Sequence, residues 1–551
     1  MLPVPSRDAL LALWGSLGML TIGWLTGVPA LVTLGGVAAL GLCVAFALTV
    51  PAALRLREQH VELTWWVEPS RALPVAGALF EAHASLRNRG EDTVVLDDLH
   101  VIAPSGVEVL TGLRGPLVIP ASSSAELDLK VRAPAVGRVV LHGVVASVPG
   151  PFGMFSAAVR FPIPLVAKVL PRAASRAASA LPRAASETND RATRSALRIR
   201  GAGTELHEIR EYQPGDPFSA IAWKPSARAG RLMVREVERE AQHSVALILD
   251  VSATMRGGVA GARKLDLAIE AVASLAKDAL ARGAHVSLRA VDGRVVARVP
   301  LGDTSAHLPP IYDALLQVTE VVDEDLTDID DETLTRRVAA YLRQQEGIDL
   351  FQEGDIDMAA LTAHVARALD GERTRSLPIA SSRALGRLRR FCQARGIALP
   401  YRSYPRGPLD EHRKASGLAK ALRDEAGDTR ATRSLIVISD LDAIESHAPW
   451  LPTLAMLKRR GHNLTVLVPE LGTTQAHRAE QEGALLERDL YVAMARTEAL
   501  RLHDARRALG RLGIQAQAYR APTEAQRSSL VPPAPRQASA SGRGGSIHAK
   551  T

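Results

Sequence analysis

No charged residue occurs between Asp8 and Arg55. That stretch is too long for one membrane crossing and about right for two, since a helical span needs roughly 20 apolar residues. Thr26-Gly27-Val28-Pro29 interrupts it, and Gly with Pro marks a turn. The expected spans are Ala9 to Leu25 and Ala30 to Leu54, with Trp24 placed as an interfacial anchor. A secretory signal has a much shorter apolar region. Arg7 precedes the hairpin, Arg55 and Arg57 follow it, and the turn carries no charge. The positive-inside bias therefore puts both ends in the cytoplasm and the turn outside.

The remaining length, in a chain of 551 residues, implies roughly three domains. Net charge is +8, but aromatics are only 4%. A stacking platform for nucleic acid needs more of them, so nucleic-acid binding is not expected. Cys43 and Cys392 are the only cysteines, which argues against a disulfide framework or a thiolate metal site and suits a reducing compartment. Residues 61–170 read as short Val-rich strands (Leu63 to Val67, Thr93 to Leu96, Ala125 to Val131, Arg138 to Val145) separated by turns. That pattern predicts an antiparallel β-sandwich. Residues 171–200, with Pro-Arg-Ala-Ala-Ser at Pro171 and again at Pro182, read as a flexible basic linker. The tail 521–551 reads as disordered.

Residues 244–520 change character. Ser244 to Leu249 is a continuous apolar run, as expected of a buried parallel strand. A Gly-rich loop follows, then Leu265, Ile269, Val272, Leu275 and Ala279 at helical spacing. Further strands are expected at Val286 to Ala290, Leu435 to Ile438 and Leu464 to Val468, with helices near 305–320, 446–460 and 485–510. Such alternation predicts a doubly wound, Rossmann-like α/β domain. Asp250 ends the first strand, and Ser252 and Thr254 follow at alternate positions. One carboxylate and two hydroxyls can converge there as hard oxygen ligands for Mg²⁺, Mn²⁺ or Ca²⁺. Asp440, beyond Leu435 to Ser439, would reach the same edge. The alternative is an aspartate that only caps the next helix.

This constellation resembles the von Willebrand factor A domain and its metal-ion-dependent adhesion site, whose Asp-x-Ser-x-Ser pattern is met here with Thr254 in the last place. The resemblance implies a threonine from a second loop, for which Thr327 is the candidate, and Asp440 as the aspartate from a third. It also implies an open coordination position filled by a partner's carboxylate. A second segment is more specific: Glu208-Ile209-Arg210-Glu211-Tyr212-Gln213-Pro214-Gly215-Asp216, then Ile221-Ala222-Trp223-Lys224-Pro225-Ser226-Ala227-Arg228. Residues 201–243 resemble the hallmark of the domain-of-unknown-function 58 family, which combines two N-terminal spans, a β-rich domain and a von Willebrand A-like domain. Val148 to Phe155 resembles that family's Asp-Pro-Phe-Gly-Leu-Phe turn. Ser219, Ala220 and Ala222 depart from its pattern. Arg210, Tyr212, Gly215, Asp216, Trp223, Lys224 and Arg228 are read as structural or partner-contact residues; a packed Trp223 and an Arg–Asp pair would lock sandwich to A domain. The resemblance implies a bacterial cytoplasmic-membrane adaptor for a MoxR-type AAA+ ATPase in the assembly or maturation of protein complexes.

Residues about 345–430 read as an insertion in the α/β domain, including helices at Ala384 to Ala394 and Ala415 to Asp424. No His-Glu-x-x-His, Gly-x-Ser-x-Gly or Walker-type loop occurs, so no catalytic residue, enzyme activity or small-molecule substrate is expected. The alternatives to a cation-dependent binding module are a metal-independent scaffold of a cell-envelope complex and an unrecognised hydrolase.

Overall fold

The computed structural model describes residues 3–59, 61–67, 74–104, 106–111, 116–174, 200–213, 221–238, 244–321, 326–352, 354–371, 384–402, 408–427, 433–442 and 450–520. Most of the expected linker and the whole tail lie outside the described residues.

Two helices, Arg7–Thr26 and Pro29–Gln59, form the N-terminal hairpin, and both are long and apolar enough to cross a membrane. The break falls where Gly and Pro stand. The second helix continues past Leu54 and through Pro51. The hairpin is built into the neighbouring β-region. Strand β1 (Val4–Pro5) pairs antiparallel with Ser156 and Phe155. Phe46 packs edge-on to Phe155 at 5.5 Å between ring centroids. Buried Thr49 lies against Gly150.

That β-region contains β2 (Val61–Val67), β3 (Leu79–Asn88), β4 (Val94–Val101), β5 (Glu108–Thr111), β6 (Leu117–Ile119), β7 (Ser124–Arg132), β8 (Gly137–Leu141), β9 (Val144–Pro149), β10 (Phe155–Phe161) and β11 (Leu165–Val169). They form antiparallel sheets ordered β1-β10-β9-β4-β6 and β2-β3-β7-β5, with a β11-β8 pair. Alternate residues of β3 and β7, such as Ala82, Ala84, Leu127 and Leu129, point into the core, as period-2 patterning requires. The single strand expected over Arg138 to Val145 is two, β8 and β9. Gly143 separates them at φ 128°, and a Cβ there would stand 2.2 Å from the Phe161 carbonyl oxygen. Only glycine fits that crossing.

β12 (Arg200–Glu211) and β13 (Met233–Glu238) pair antiparallel. The second body is a six-stranded sheet of β14 (Ser244–Asp250), β15 (His285–Val291), β16 (Val295–Gly302), β19 (Ser434–Ile438), β20 (Asn463–Pro469) and β21 (Gln515–Tyr519). The intervening β17 (Phe351–Gln352) and β18 (Asp355–Ile356) pair only with each other. The sheet order is β16-β15-β14-β19-β20-β21. Every pairing is parallel except β15 with β16. Sequence patterning did not anticipate the edge strands β16 and β21.

Both faces of this sheet are covered, as a parallel sheet requires. Val245, Leu247 and Leu249 pack with Leu265, Ile269, Ile311 and Leu315, in a core continuous with the sandwich. Ala246, Ile248, Leu435 and Val437 pack with Leu418, Leu422, Leu454, Leu502 and Leu509. The molecule is thus a mixed α/β structure with several sheets and an apolar N-terminal helical hairpin.

Three expected boundaries move. Residues 171–174, read as linker, are docked: the Arg172 amide donates to Glu270 at 3.0 Å, and Lys277 Nζ donates to the Ala173 carbonyl at 2.8 Å. The inserted region starts before 345, because Leu334 and Val338 share a separate core with Leu342, Leu361, Val365, Leu388, Phe391 and Cys392. The helix Pro408–Gly427, read as insertion, covers the main sheet through Ala415, Leu418, Ala421, Leu422 and Ala426.

Candidate functional site at the carboxyl edge of the sheet

The chain leaves β14 for β15 on one side and later returns as β19 on the other. Strand order therefore reverses between β14 and β19, and such a reversal opens a crevice at the carboxyl ends of open α/β sheets. Asp250 closes β14, and Asp440 stands two residues past the end of β19. Sequence and topology thus deliver two carboxylates to one place.

The local hydrogen bonds hold them there. Asp250 Oδ1 accepts from the Ser252 amide at 3.0 Å, and Oδ2 accepts from Ser439 Oγ at 2.6 Å. The hydroxyls of Ser252 and Thr254 are 3.3 Å apart. Leu441, between the two aspartates of Asp440-Leu441-Asp442, has φ 59°. Left-handed backbone costs a branched-chain residue roughly 1–2 kcal/mol; here the burial of Leu441 and the Ser439 Oγ that accepts from its amide at 3.2 Å hold it. Local strain of this kind tends to gather at working sites.

The expected hydroxyl and carboxylate ligands therefore do meet: Asp250, Ser252, Thr254 and Asp440 form one buried cluster. What stands among them was not foreseen. Lys414, from the helix Pro408–Gly427, places Nζ 2.9 Å from Asp250 Oδ2 and 3.0 Å from Thr254 Oγ1, and it donates to Asp440 Oδ1. Lys264 Nζ reaches Asp440 Oδ2 at 3.4 Å. Burial alone would lower the Lys414 pKa, but the carboxylates of Asp250 and Asp440 more than reverse this and hold it above the ordinary lysine value. Burial likewise works against the charge on Asp440, yet Lys414 and then Lys264 keep its carboxyl well below the usual range. Asp442, buried and next to Asp440, is pushed up to about 6; it pairs with Arg501. Two carboxylates and two ammoniums balance inside the cluster.

This arrangement does not fit a divalent ion while Lys414 is seated, because the ammonium occupies the space between the same oxygens. Thr327 is engaged differently from the expectation: its hydroxyl accepts from Arg389 Nε at 3.1 Å, and its backbone bridges Tyr401. Sequence reasoning missed Lys414, Lys264 and Ser439. The available signal was a lysine in register with an apolar helical stripe, since Lys414 precedes Leu418 by four and Leu422 by eight.

The hallmark residues form a second feature. Tyr212 continues from β12, with its amide donating to the Leu232 carbonyl at 2.9 Å. The helix Trp223–Ala229 carries Trp223, Lys224 and Arg228. Ser226 is the buried anchor: its Oγ donates to the Ala222 carbonyl and accepts from the Met233 amide, both at 2.8 Å. Trp223 is 67% exposed, so it is not the packed tryptophan that was expected. Gly215, Asp216 and the side chain of Arg210 lie outside the described residues, so the expected Arg–Asp pair does too.

A mixed α/β body with a charge-balanced strand-edge cluster and an apolar helical hairpin defines the class. Within it, the family described as "Protein of unknown function DUF58" matches residues 208–338. That match takes in the hallmark from Glu208 onward, β14 and Asp250, but stops before Lys414 and Asp440. Uncharacterised proteins of Mycobacterium tuberculosis and Mycobacterium bovis are each 32% identical over 109 residues, covering 20% of this chain and 34% of theirs. Uncharacterized protein YeaD of Bacillus subtilis is 45% identical over 42 residues, covering 8% of this chain and 11% of its own. The chain thus spans about a third of the length of the mycobacterial relatives it matches. Among solved structures, a FixG-related protein from Vibrio parahaemolyticus aligns with 20% of this chain and 97% of its own, at 9% identity and a TM-score of 0.15. Escherichia coli alpha-2-macroglobulin aligns with 80% of this chain and 36% of its own, at 13% identity and a TM-score of 0.15. Likenesses this slight assign no fold.

Proposed function

We propose that this chain is a membrane-anchored protein-binding module, an adaptor rather than an enzyme. In this reading the hairpin crosses a bacterial cytoplasmic membrane, the folded bodies face the cytoplasm, and the partner is an AAA+ ATPase of the MoxR type acting on other protein complexes. The observation that carries the reading is the way the hairpin is built into the β-region. β1, which precedes the first helix, pairs with β10, and this supports a topology with β1 and the sandwich on one side of a bilayer, as an even number of crossings requires. Leu11, Trp14, Trp24, Val37 and Leu40 are all more than 60% exposed, and lipid is the surrounding that suits such a surface. Arg7, Arg55 and Arg57 favour the cytoplasmic side.

The von Willebrand A-type reading of the second body is supported by the sheet order and by Asp250, Ser252, Thr254 and Asp440 at its switch point. The form with Mg²⁺ or Mn²⁺ held there, completed by a partner carboxylate, requires Lys414 to withdraw. The metal-independent scaffold is the second reading, and the seated ammonium favours it. For partner contact the hallmark helix is the better-exposed surface. Trp223 stands out beside Lys224 and Arg228, and tryptophan with arginine is the composition of binding hot spots.

The test is the affinity of the full chain, in nanodiscs, for the purified AAA+ ATPase. Trp223→Ala is expected to weaken it at least about tenfold, as loss of a hot-spot aromatic does, with an unchanged melting curve. No measurable binding by the wild type would sink the adaptor reading; unchanged affinity in the variant would remove the hallmark helix from it.

A further inference from the structure

We propose that Lys414 is a built-in cation: its ammonium fills the place a divalent ion would take among Asp250, Thr254 and Asp440, so that this edge holds together, and serves any partner, without metal. The inference rests on reading this edge as adhesion-like, and it adds the identity of the cation.

Three independent features support it. The first is the contact set. Lys414 Nζ meets both carboxylates and the Thr254 hydroxyl, the oxygens expected to ligate a metal. An ammonium has three donors, and here each has an oxygen. The second is charge. With Lys264 on the second oxygen of Asp440, the two aspartates are already neutralised, and a divalent ion added beside two ammoniums would find no net attraction to draw it in. The third is how firmly the lysine is delivered. Its helix is seated by Gly417, where a Cβ would lie 2.6 Å from the Gly293 Cα. That backbone contact with the turn between β15 and β16 leaves no room for a side chain at 417. One turn earlier on the same helix, Lys414 is thereby aimed at the strand ends. At the far end of the helix, buried Glu425 accepts from Arg289 Nη2 at 2.8 Å and from Ser287 Oγ at 2.9 Å. The side chain of Lys414 is 6% exposed. It is a fixture of the sheet, not a surface lysine that happens to reach inward.

The experiment is manganese uptake by the full chain in detergent, read from the loss of the free-Mn²⁺ electron paramagnetic resonance signal. Wild type, Asp250→Asn, Lys414→Met and Lys414→Met with Asp250→Asn are compared. The expected result is no Asp250-dependent uptake by the wild type at millimolar Mn²⁺. Lys414→Met should take up one ion per chain and lose it again when Asp250→Asn is added. Its melting temperature should rise with Mn²⁺, because an ion that binds only the folded state stabilises it. Uptake by the wild type that Asp250→Asn abolishes would overturn the proposal. So would a folded Lys414→Met variant that takes up no ion. If Lys414→Met does not fold, wild type against Asp250→Asn still decides: Asp250-dependent uptake overturns, and its absence supports. Manganese uptake is read with no partner present, so a failed adaptor reading leaves this test intact.

Discussion

Asp440→Ala is expected to cost about 3–5 kcal/mol, the usual penalty for removing one member of a buried ion pair. The change deletes an acceptor of Lys414 and the acceptor of Lys264. Both ammoniums would remain buried, Lys414 with Asp250 as its remaining carboxylate contact and Lys264 with only the more distant Asp442 and Glu498 to act on it. Hydration cannot make up the loss, because Lys414 sits under its own helix against the sheet. In a body of this size each kcal/mol moves the melting temperature by roughly 2–4 °C, so the α/β transition should fall by about 10 °C. The check is a thermal melt of the full chain in detergent, followed by a probe in the α/β body. A shift below about 2 °C would mean that water reaches these ammoniums and that the cluster is not sealed.

Glu425→Ala should have a comparable effect from the other end of the same helix. Glu425 Oε1 accepts from Arg289 Nε at 3.0 Å and Nη2 at 2.8 Å, while Oε2 accepts from Ser287 Oγ at 2.9 Å and lies 3.4 Å from Arg433 Nη1. The side chains of Arg289 and Arg433 are 4% and 5% exposed. Without the carboxylate Arg289 keeps Asp424, at 3.2 Å and 42% exposed, and Arg433 keeps the Glu425 backbone carbonyl at 2.8 Å. Neither replaces a buried anion, and a loss of about 3 kcal/mol follows. Limited proteolysis should show earlier cutting of the helix Pro408–Gly427 in the variant. A cutting rate equal to that of the wild type would contradict the argument.

The parts of the fold that were legible in sequence are those set by local pattern. The hairpin follows from a charge-free stretch broken by Gly and Pro. β14 follows from an apolar run, and the strand-end position of Asp250 from where that run stops. The helices Ala384–Ala394 and Leu485–Gly510 begin and end where their sequences suggest. The parts that were not legible depend on contacts between distant segments. Val4–Pro5 is too short to carry a strand pattern, and it is a strand only because Phe155 and Ser156 lie alongside. Lys414 is 160 residues from Thr254 in sequence, and a charge within an apolar stripe reads as a solvated flank until the opposing carboxylates are seen. The helix bearing it falls within the segment that reads as an insertion before the Asp440 strand, although its apolar face covers the main sheet. Thr327 was matched by residue type alone, and its hydroxyl is taken by Arg389, which no spacing rule could have paired with it. At the candidate site, then, the ligands were readable and the cation was not.

The central claim is that the chain's own lysine closes the carboxylate edge. A double-mutant cycle on the full chain tests it most directly, with melts of wild type, Asp440→Ala, Lys414→Met and the double variant. If Lys414 and Asp440 are a sealed pair, each single change is costly and the double change costs far less than their sum, with a coupling of about 2–3 kcal/mol. Additive costs, with coupling below about 0.5 kcal/mol, would mean that the two groups do not meet in solution, and the account of this edge would fall with them.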